Sequence, residues 1–214
     1  MSLAASSAPD IRLELQHLGI AYGTRQVVHD LNLVLNAGEV LIVAGTNGSG
    51  KSSLMRILCG LQLASSGQFS YSLHGTRIMR EQMRSLVGWL SPDLQLYREL
   101  TALENLRFFA ELRGLTIDDC KLEQRLETLG LAGRCHDLLS TFSSGMIQRM
   151  RFAFALLHDP PVLLLDEPTV TFDEHGSAMC AEIITTQRQR GITVVATNDA
   201  REEALGDYVL RLSR

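Results

Sequence analysis

Patterns typical of metal sites and disulfides are absent from this sequence. Its six histidines show no spacing typical of metal ligands, and no two of its four cysteines form a Cys-x-x-Cys pair. We therefore expect reduced thiols and ordinary histidines. The cysteines are Cys59, Cys120, Cys135 and Cys180.

Long apolar segments are lacking too. The longest are of strand length, such as Val40 to Ala44 and Val162 to Leu165, whereas a membrane-spanning helix needs about 20 residues. Residues 1–10 lack the basic start and apolar segment of a secretion signal, so we expect a flexible N-terminal tail there. These absences predict a cytoplasmic chain that does not itself cross a membrane.

An excess of positive charge is also missing. Lys and Arg number 20 against 24 Asp and Glu, which leaves a formal charge of −4. A chain without a basic surface does not hold a phosphate backbone, so we expect no nucleic acid partner. With 45% hydrophobic and 21% charged residues, the composition predicts a globular domain over residues 11–214.

The order of apolar segments predicts an α/β fold. Short β-rich segments between Ile11 and Leu35 indicate an antiparallel β layer near the N-terminus. Residues 39–44, 162–165 and 192–196 are apolar at nearly every position, as expected for parallel strands that are buried on both faces. We expect these strands to form a mainly parallel central sheet.

The middle of the chain is predicted to be helical. Thr101 and Glu104 have the spacing of a capping box, which predicts that a helix begins there. Residues 79–158 are therefore predicted to form an inserted helical subdomain. Further helices are expected at about 118–129, 144–157 and 174–189.

A glycine-rich segment carries the most specific functional signal. Residues 45–52 fit the phosphate-loop pattern G-x-x-x-x-G-K-[ST], also called Walker A, between a predicted strand and a predicted helix. In such a loop Lys51 reaches the β and γ oxygens of a nucleotide, and the Ser52 hydroxyl binds magnesium. The predicted nucleotide-binding residues of this segment are Gly45, Thr46, Asn47, Gly48, Ser49, Gly50, Lys51, Ser52 and Ser53.

Two carboxylates follow the apolar strand at 162–165. Ligands in open α/β sheets gather at the carboxyl ends of strands, so Asp166 and Glu167 are expected to face the phosphate loop. We predict that Asp166 holds Mg²⁺ together with Ser52, and that Glu167 polarises the water that attacks the γ-phosphate of ATP.

These motifs, in this order, resemble the ATPases of ABC transporters from Leu13 to Leu212, and the fold implied is that of a P-loop NTPase. Tyr22 then lies where the family places the aromatic side chain that stacks on adenine. Ser143, Ser144 and Gly145 resemble part of the family's signature motif, which contacts ATP held by a partner subunit. Asp173 resembles the aspartate that bridges the two sites of the dimer.

At two positions the sequence departs from the family. Ser91-Pro92-Asp93 stands where a glutamine is usual, so the expected contact with membrane subunits is altered. Asn198 replaces the histidine that contacts the γ-phosphate, and an amide donates a hydrogen bond but carries no charge. Since Glu167 is retained, we expect hydrolysis that is slower than in relatives with the histidine.

The resemblance implies an ATP-dependent motor that forms a homodimer or pairs with a second ATPase subunit. It would work beneath transmembrane permease subunits at the inner face of the cell membrane. Length and the segment 100–106 are similar to the ATPase of the haem exporter in cytochrome c maturation, and also to exporter ATPases for lipids, polysaccharides or drugs. A soluble ABC-type ATPase that is not coupled to transport is the alternative, and a P-loop kinase or a nucleotide-binding regulator is a third class.

A cluster of apolar residues marks the expected contact with the membrane subunits. It lies near residues 88–110, around Pro92, and either forms a groove for a partner's helix or belongs to the core. Its members are Trp89, Leu94, Leu96, Tyr97 and Leu100.

Overall fold

The computed structural model describes residues 10–212, so most of the predicted N-terminal tail, residues 1–9, lies outside the described residues. The strands are β1 (Ile11–Tyr22), β2 (Arg25–Asn36), β3 (Val40–Gly45), β4 (Ser66–Leu73), β5 (Thr76–Arg77), β6 (Val87–Leu90), β7 (Val162–Asp166), β8 (Ile192–Thr197) and β9 (Tyr208–Leu212). The α-helices are α1 (Lys51–Leu58), α2 (Met83–Leu86), α3 (Ala102–Leu112), α4 (Asp119–Thr128), α5 (Ser144–Ala155) and α6 (Glu174–Gln187). Short 3₁₀-helices lie at Arg80–Gln82, Leu139–Thr141 and Ala200–Leu205.

The strands form two sheets. An antiparallel sheet has the order β2-β1-β4-β5, and a sheet of five parallel strands has the order β6-β7-β8-β3-β9. The parallel central sheet and the N-terminal antiparallel layer that we predicted are therefore confirmed. The carboxyl ends of β3, β7 and β8 lie at the same edge of the parallel sheet, which brings the segments that follow them together.

The parallel sheet separates two apolar cores because its side chains alternate between its faces. In β7, Leu163 and Leu165 pack with helices α3 to α6, whereas Val162 and Leu164 pack with α1 and the antiparallel sheet. All four side chains are fully buried. A strand buried on both faces explains why residues 162–165 are apolar at every position.

The predicted helices are present at the expected places. Those expected at 118–129, 144–157 and 174–189 are α4, α5 and α6. The predicted capping box begins α3: the Thr101 Oγ1 accepts from the Glu104 amide (3.2 Å), and Glu104 accepts from the Thr101 amide (2.8 Å). This reciprocal pair satisfies two amides that the first helical turn leaves without partners.

The segment predicted as a helical subdomain contains one strand. Residues 87–90 form β6, which pairs with β7 at the edge of the parallel sheet. Helices α3, α4 and α5 follow that strand, so the helical part of the segment begins after Leu90. The division of the chain at 79 and 158 stays a prediction. Within residues 10–212, no helix combines the length and the apolar composition needed to cross a bilayer.

Candidate functional site

The phosphate-loop segment connects the end of β3 to the start of α1, and its glycines have backbone geometry that other residues rarely adopt. Gly48 has φ +78° and Gly50 has φ +100°. A Cβ on Gly50 would lie 2.0 Å from Val27 Cγ1, and a Cβ on Gly45 would lie 2.6 Å from the Leu212 carbonyl oxygen. The compact turn therefore depends on glycine, and it leaves the positive N-terminal end of α1 pointing at the loop.

Lys51 joins this loop to the carboxylates after β7. Its ammonium donates to the Gly45 carbonyl oxygen (2.6 Å) and lies 3.1 Å from the Glu167 Oε1. The Lys51 side chain is 6% exposed and that of Glu167 is 20% exposed, so solvent screens this ion pair only weakly. The two predicted groups from distant parts of the chain are thus in direct contact.

Asp166 is a buried carboxylate that lies next to the Ser52 hydroxyl. The residue is 1% exposed, and neither of its oxygens receives a hydrogen bond from a described residue. Burial raises the pKa of Asp166, while the adjacent Ser52 hydroxyl and the Lys51 charge act in the opposite direction. A bound cation stabilises a buried carboxylate, and the combination of a carboxylate with a serine hydroxyl fits a hard divalent ion such as Mg²⁺.

Glu167 is held in an unusual backbone conformation. Its φ is +50°, which is uncommon for a residue other than glycine and typical of functional sites. Its amide donates to the Ala196 carbonyl oxygen (2.8 Å), and its Oε2 accepts from the Asn198 amide (3.4 Å). The segment after β8 therefore orients the Glu167 carboxylate next to Lys51, and it does so through the backbone of Asn198.

These groups surround a cavity of about 500 Å³. Tyr22 is half-exposed at its edge, and its hydroxyl forms hydrogen bonds with Ser53 Oγ (2.7 Å) and Gln62 Nε2 (3.2 Å). The Ser53 hydroxyl is the main cause of a lowered pKa of Tyr22. The lining residues are Tyr22, Arg25, Val27, Asn47, Gly48, Gly50, Lys51, Ser52, Ser53, Pro92, Asp166 and Glu167.

Most of the predicted nucleotide-binding residues line this cavity. Three residues of the loop do not line it and instead contact other residues of the loop. Gly45, Thr46 and Ser49 are outside the lining set. Lys51 donates to the carbonyl oxygens of Gly45 and Thr46, and Ser49 is buried against the Gly45 backbone.

Sequence reasoning missed Arg25, whose guanidinium donates to the Gly48 carbonyl oxygen (3.2 Å) and lines the cavity. A single arginine in a β-hairpin carries no sequence signal for this role. Its position beside the loop depends on the pairing of β1 with β2.

The signature-like segment lies elsewhere on the surface. Ser143 begins α5 as its N-cap and accepts from the Met146 amide (3.3 Å), while Ser143 and Ser144 are exposed and Gly145 is half-buried. Asp173 is an exposed N-cap of α6 and accepts from the Gly176 amide (2.8 Å). Among the described residues, none of this set lines the cavity at the phosphate loop of the same chain.

A second cavity, of about 1030 Å³, lies between α1, β6 and the helices α3 and α5. Of the five apolar residues predicted to form a groove, Trp89 and Leu94 line it. Leu96 instead packs against the core, and the Tyr97 ring contacts Phe108 at 5.0 Å between centroids. We call this cavity the helical groove. Its apolar lining also includes Phe109, Leu112, Leu115 and Phe154.

Comparison with known proteins gives a consistent result. A family model described as ABC transporter matches residues 28–170. The linearmycin resistance ATP-binding protein LnrL of Bacillus subtilis (strain 168) is 32% identical over 193 residues, which are 89% of this chain and 62% of LnrL. The cytochrome c biogenesis ATP-binding export protein CcmA of Vibrio cholerae is 31% identical over 185 residues, which are 86% of this chain and 89% of CcmA.

Solved structures share the fold. The dimeric post-hydrolysis state of the ATP-binding cassette MJ0796, bound to ADP and Pi, has a TM-score of 0.80 at 21% identity, with 94% of each chain covered. Several relatives are longer than this chain, which spans 62%, 63% and 53% of the length of three Bacillus subtilis proteins that it matches.

Proposed function

The chain belongs to the ABC transporter family, and on this premise we propose that it binds ATP with Mg²⁺ and hydrolyses the ATP to drive export. The observation that carries the proposal is the buried Asp166 carboxylate, which lies beside the Ser52 hydroxyl in the cavity that Lys51 and Glu167 also line. Such a group is costly unless a cation binds there. The family match supports the same assignment.

The loop residues bind the nucleotide in this proposal. The Lys51 ammonium exchanges the Gly45 carbonyl oxygen and the Glu167 carboxylate for the β and γ oxygens of ATP. Backbone amides of residues 45–52 and the N-terminal end of α1 add hydrogen bonds and positive potential. Tyr22, at the rim of the same cavity, stacks on the adenine ring.

Ser52 and Asp166 would hold the metal ion. A bound Mg²⁺ would supply positive charge to the phosphate groups of ATP. Burial raises the pKa of Asp166, and this carboxylate would gain a charge partner from a bound cation.

Glu167 acts on the attacking water. The water oxygen forms a bond to the γ-phosphorus, and the bond to the bridging β–γ oxygen breaks, so ADP leaves with that electron pair. Glu167 accepts the water proton, and the contact of its Oε2 with the Asn198 amide holds the carboxylate in position. The Asn198 side chain takes the position of a γ-phosphate contact, without the charge that a histidine there would carry.

The dimer is formed by two chains that share two ATP molecules. Ser143, Ser144 and Gly145 of one chain close on ATP held by the loop of the other, and Asp173 bridges the two sites. Their exposure at helix N-termini in a single chain supports this role, since such ends attract phosphate. The dimeric form of the MJ0796 cassette supports the same arrangement.

The membrane partner docks in the helical groove. The groove is apolar at Trp89, Leu112 and Phe154, and it has Arg84 and Arg113 in its lining. Neither guanidinium has a carboxylate partner among the described residues, so a partner helix with an apolar face and an acidic residue fits it. The chain is then held at the inner face of the membrane through its permease subunits.

The cargo belongs to the membrane subunits. LnrL is named for linearmycin resistance and CcmA as a cytochrome c biogenesis export protein, so the names of these relatives do not indicate one common cargo. Haem export in cytochrome c biogenesis is therefore one candidate among several. The alternative of a soluble ATPase without a transport partner gains no support from these relatives.

The test is Glu167→Gln, which keeps the shape of the side chain and removes its basicity. We expect phosphate release to fall by about 10²- to 10⁴-fold, as for the loss of a general base, while ATP binding is retained. Glu182→Gln, at an exposed position of α6 outside both cavities, is the matched control. A Glu167→Gln protein that keeps more than about a tenth of the normal rate contradicts the assigned role.

A further inference from the structure

Three side chains with different donor atoms meet at the surface of the helical part. Glu123 lies on α4, and Cys135 and His136 lie in the segment that connects α4 to the 3₁₀-helix at Leu139–Thr141. One ligand atom of each lies within 4.8 Å of the others. The His136 Nε2 is 3.7 Å from the Glu123 Oε1. The structure therefore brings together a sulfur, a nitrogen and an oxygen donor.

The backbone around this cluster is anchored on both sides. The Cys135 carbonyl oxygen accepts from the Leu103 amide (2.9 Å), and the Asp137 carbonyl oxygen accepts from the Ala102 amide (3.2 Å). These bonds use amides of the first turn of α3, which have no partner within their own helix. The segment that carries Cys135 and His136 is consequently held in place before any ligand binds.

These three side chains make few polar contacts, and Cys135 also packs against the apolar core. Cys135 is a free thiol, and the contact between His136 and Glu123 is the only ion pair or hydrogen bond of these side chains among residues 10–212. The His136 side chain is 74% exposed, so it can rotate to shorten the distances between the ligand atoms. Zinc bonds of about 2.0–2.3 Å require ligand atoms to be closer than 4.8 Å, and this adjustment is small.

We propose that Glu123, Cys135 and His136 bind one Zn²⁺ ion, with water as its fourth ligand. A thiolate and an imidazole favour Zn²⁺ over hard ions such as Mg²⁺, so the site differs in metal preference from the one at Asp166. The ion would connect α4 to the segment that leads to α5 and its signature-like start. Sequence spacing does not reveal this site because Glu123 is separated from the other two ligands by a helix end and a turn.

Co²⁺ is the probe, added to the full chain without nucleotide. A cobalt–thiolate bond has a charge-transfer absorption that a carboxylate and hydroxyl site such as Asp166 with Ser52 cannot produce. We expect this absorption to saturate at one ion per chain and to disappear when Zn²⁺ is added in excess. Cys135→Ser should abolish it, while Cys120→Ser, which removes an exposed thiol on α4, the helix that carries Glu123, should leave it unchanged.

Glu123→Gln and His136→Ala complete the test at positions with solvent-accessible side chains. Each should weaken Zn²⁺ binding by at least about tenfold, since even outer-shell partners of a metal contribute 10- to 100-fold. A thermal melt of the metal-free variants shows that they are folded. Absorption that persists in Cys135→Ser, or Zn²⁺ affinity within about twofold of normal in both other variants, would overturn the proposal.

Discussion

Substituting Gly50 by alanine tests the geometry of the phosphate loop most directly. Gly50 precedes α1 with φ +100°, and an added Cβ would meet Val27 Cγ1 at 2.0 Å. Both effects act on the folded chain in the absence of nucleotide. The substitution should therefore lower the free energy of unfolding as well as weaken ATP binding.

The magnitude follows from two contributions. A non-glycine residue with positive φ costs about 1–2 kcal/mol. Moving the Val27 side chain off its preferred rotamer to admit the Cβ costs about 0.5–1.5 kcal/mol. Together they predict a loss of about 1.5–3.5 kcal/mol, which for a chain of this size lowers the thermal midpoint by about 3–14 °C. Urea unfolding and a thermal melt without nucleotide measure these quantities.

Two further variants separate the contributions. Gly23 also has positive φ, +60°, but no atom lies within 4 Å of its added Cβ. Gly23→Ala should therefore cost only the backbone part, about 1–2 kcal/mol. Combining Gly50→Ala with Val27→Ala removes the clash, so the pair should show a coupling of about 1 kcal/mol in a double-mutant cycle. Equal losses for Gly50→Ala and Gly23→Ala, with no coupling to Val27, would refute the reasoning.

Three other substitutions test the roles of Asp166, of Asn198, and of Leu112 in the helical groove. Burial raises the pKa of Asp166. The carboxyl group therefore contributes to the free energy of unfolding at a pH below its ordinary pKa, and this contribution is lost as the pH rises through the raised pKa. Without metal and nucleotide, Asp166→Asn should thus raise the thermal midpoint at pH 7, because the variant has no buried carboxylate to ionise. Below about pH 3.9 the variant should show no higher midpoint than the unchanged protein. A lower midpoint of the variant at pH 7 would contradict this reasoning. Asn198→His should speed phosphate release by about tenfold or more, since one donor at a developing charge typically contributes 10²- to 10³-fold; an unchanged rate shows that this side chain does not reach the γ-phosphate. Leu112→Glu should reduce recovery of the chain with the proposed membrane subunits by about tenfold or more, because a buried unpaired charge is costly. Leu63→Glu, similarly exposed but outside the groove, is its control, and equal recovery of the two variants argues against docking there.

The sequence predicts the phosphate loop because the residues of this motif are contiguous. Glycines, a lysine and a serine within eight residues, between a strand and a helix, leave few alternative functions. The same holds for β7, where four apolar residues followed by Asp166 and Glu167 indicate a buried strand that ends at a ligand site. The Thr101 and Glu104 pair was also readable, since a capping box depends only on residues in one helical turn.

Contacts between segments that are far apart in the chain were decided by the tertiary structure. The pairing of β1 with β2 places Arg25 beside Gly48, and the neighbouring strands β7 and β8 place the Asn198 amide against Glu167. The φ of +50° at Glu167 likewise has no sequence signature. Each of these features depends on which strands become neighbours, and a linear pattern carries no information about that choice.

The helical part of the chain also combines features that the sequence predicts with features that only the tertiary structure decides. Apolar residues in and after β6 predicted a contact surface, but only packing decided that Trp89 and Leu94 line the helical groove while Leu96 packs against the core. The approach of Glu123 to Cys135 likewise required α4 and the following turn to fold back on each other. Local chemistry was set by the order of residues along the chain, whereas the grouping of distant side chains was set by the burial of the two apolar cores on either side of the parallel sheet.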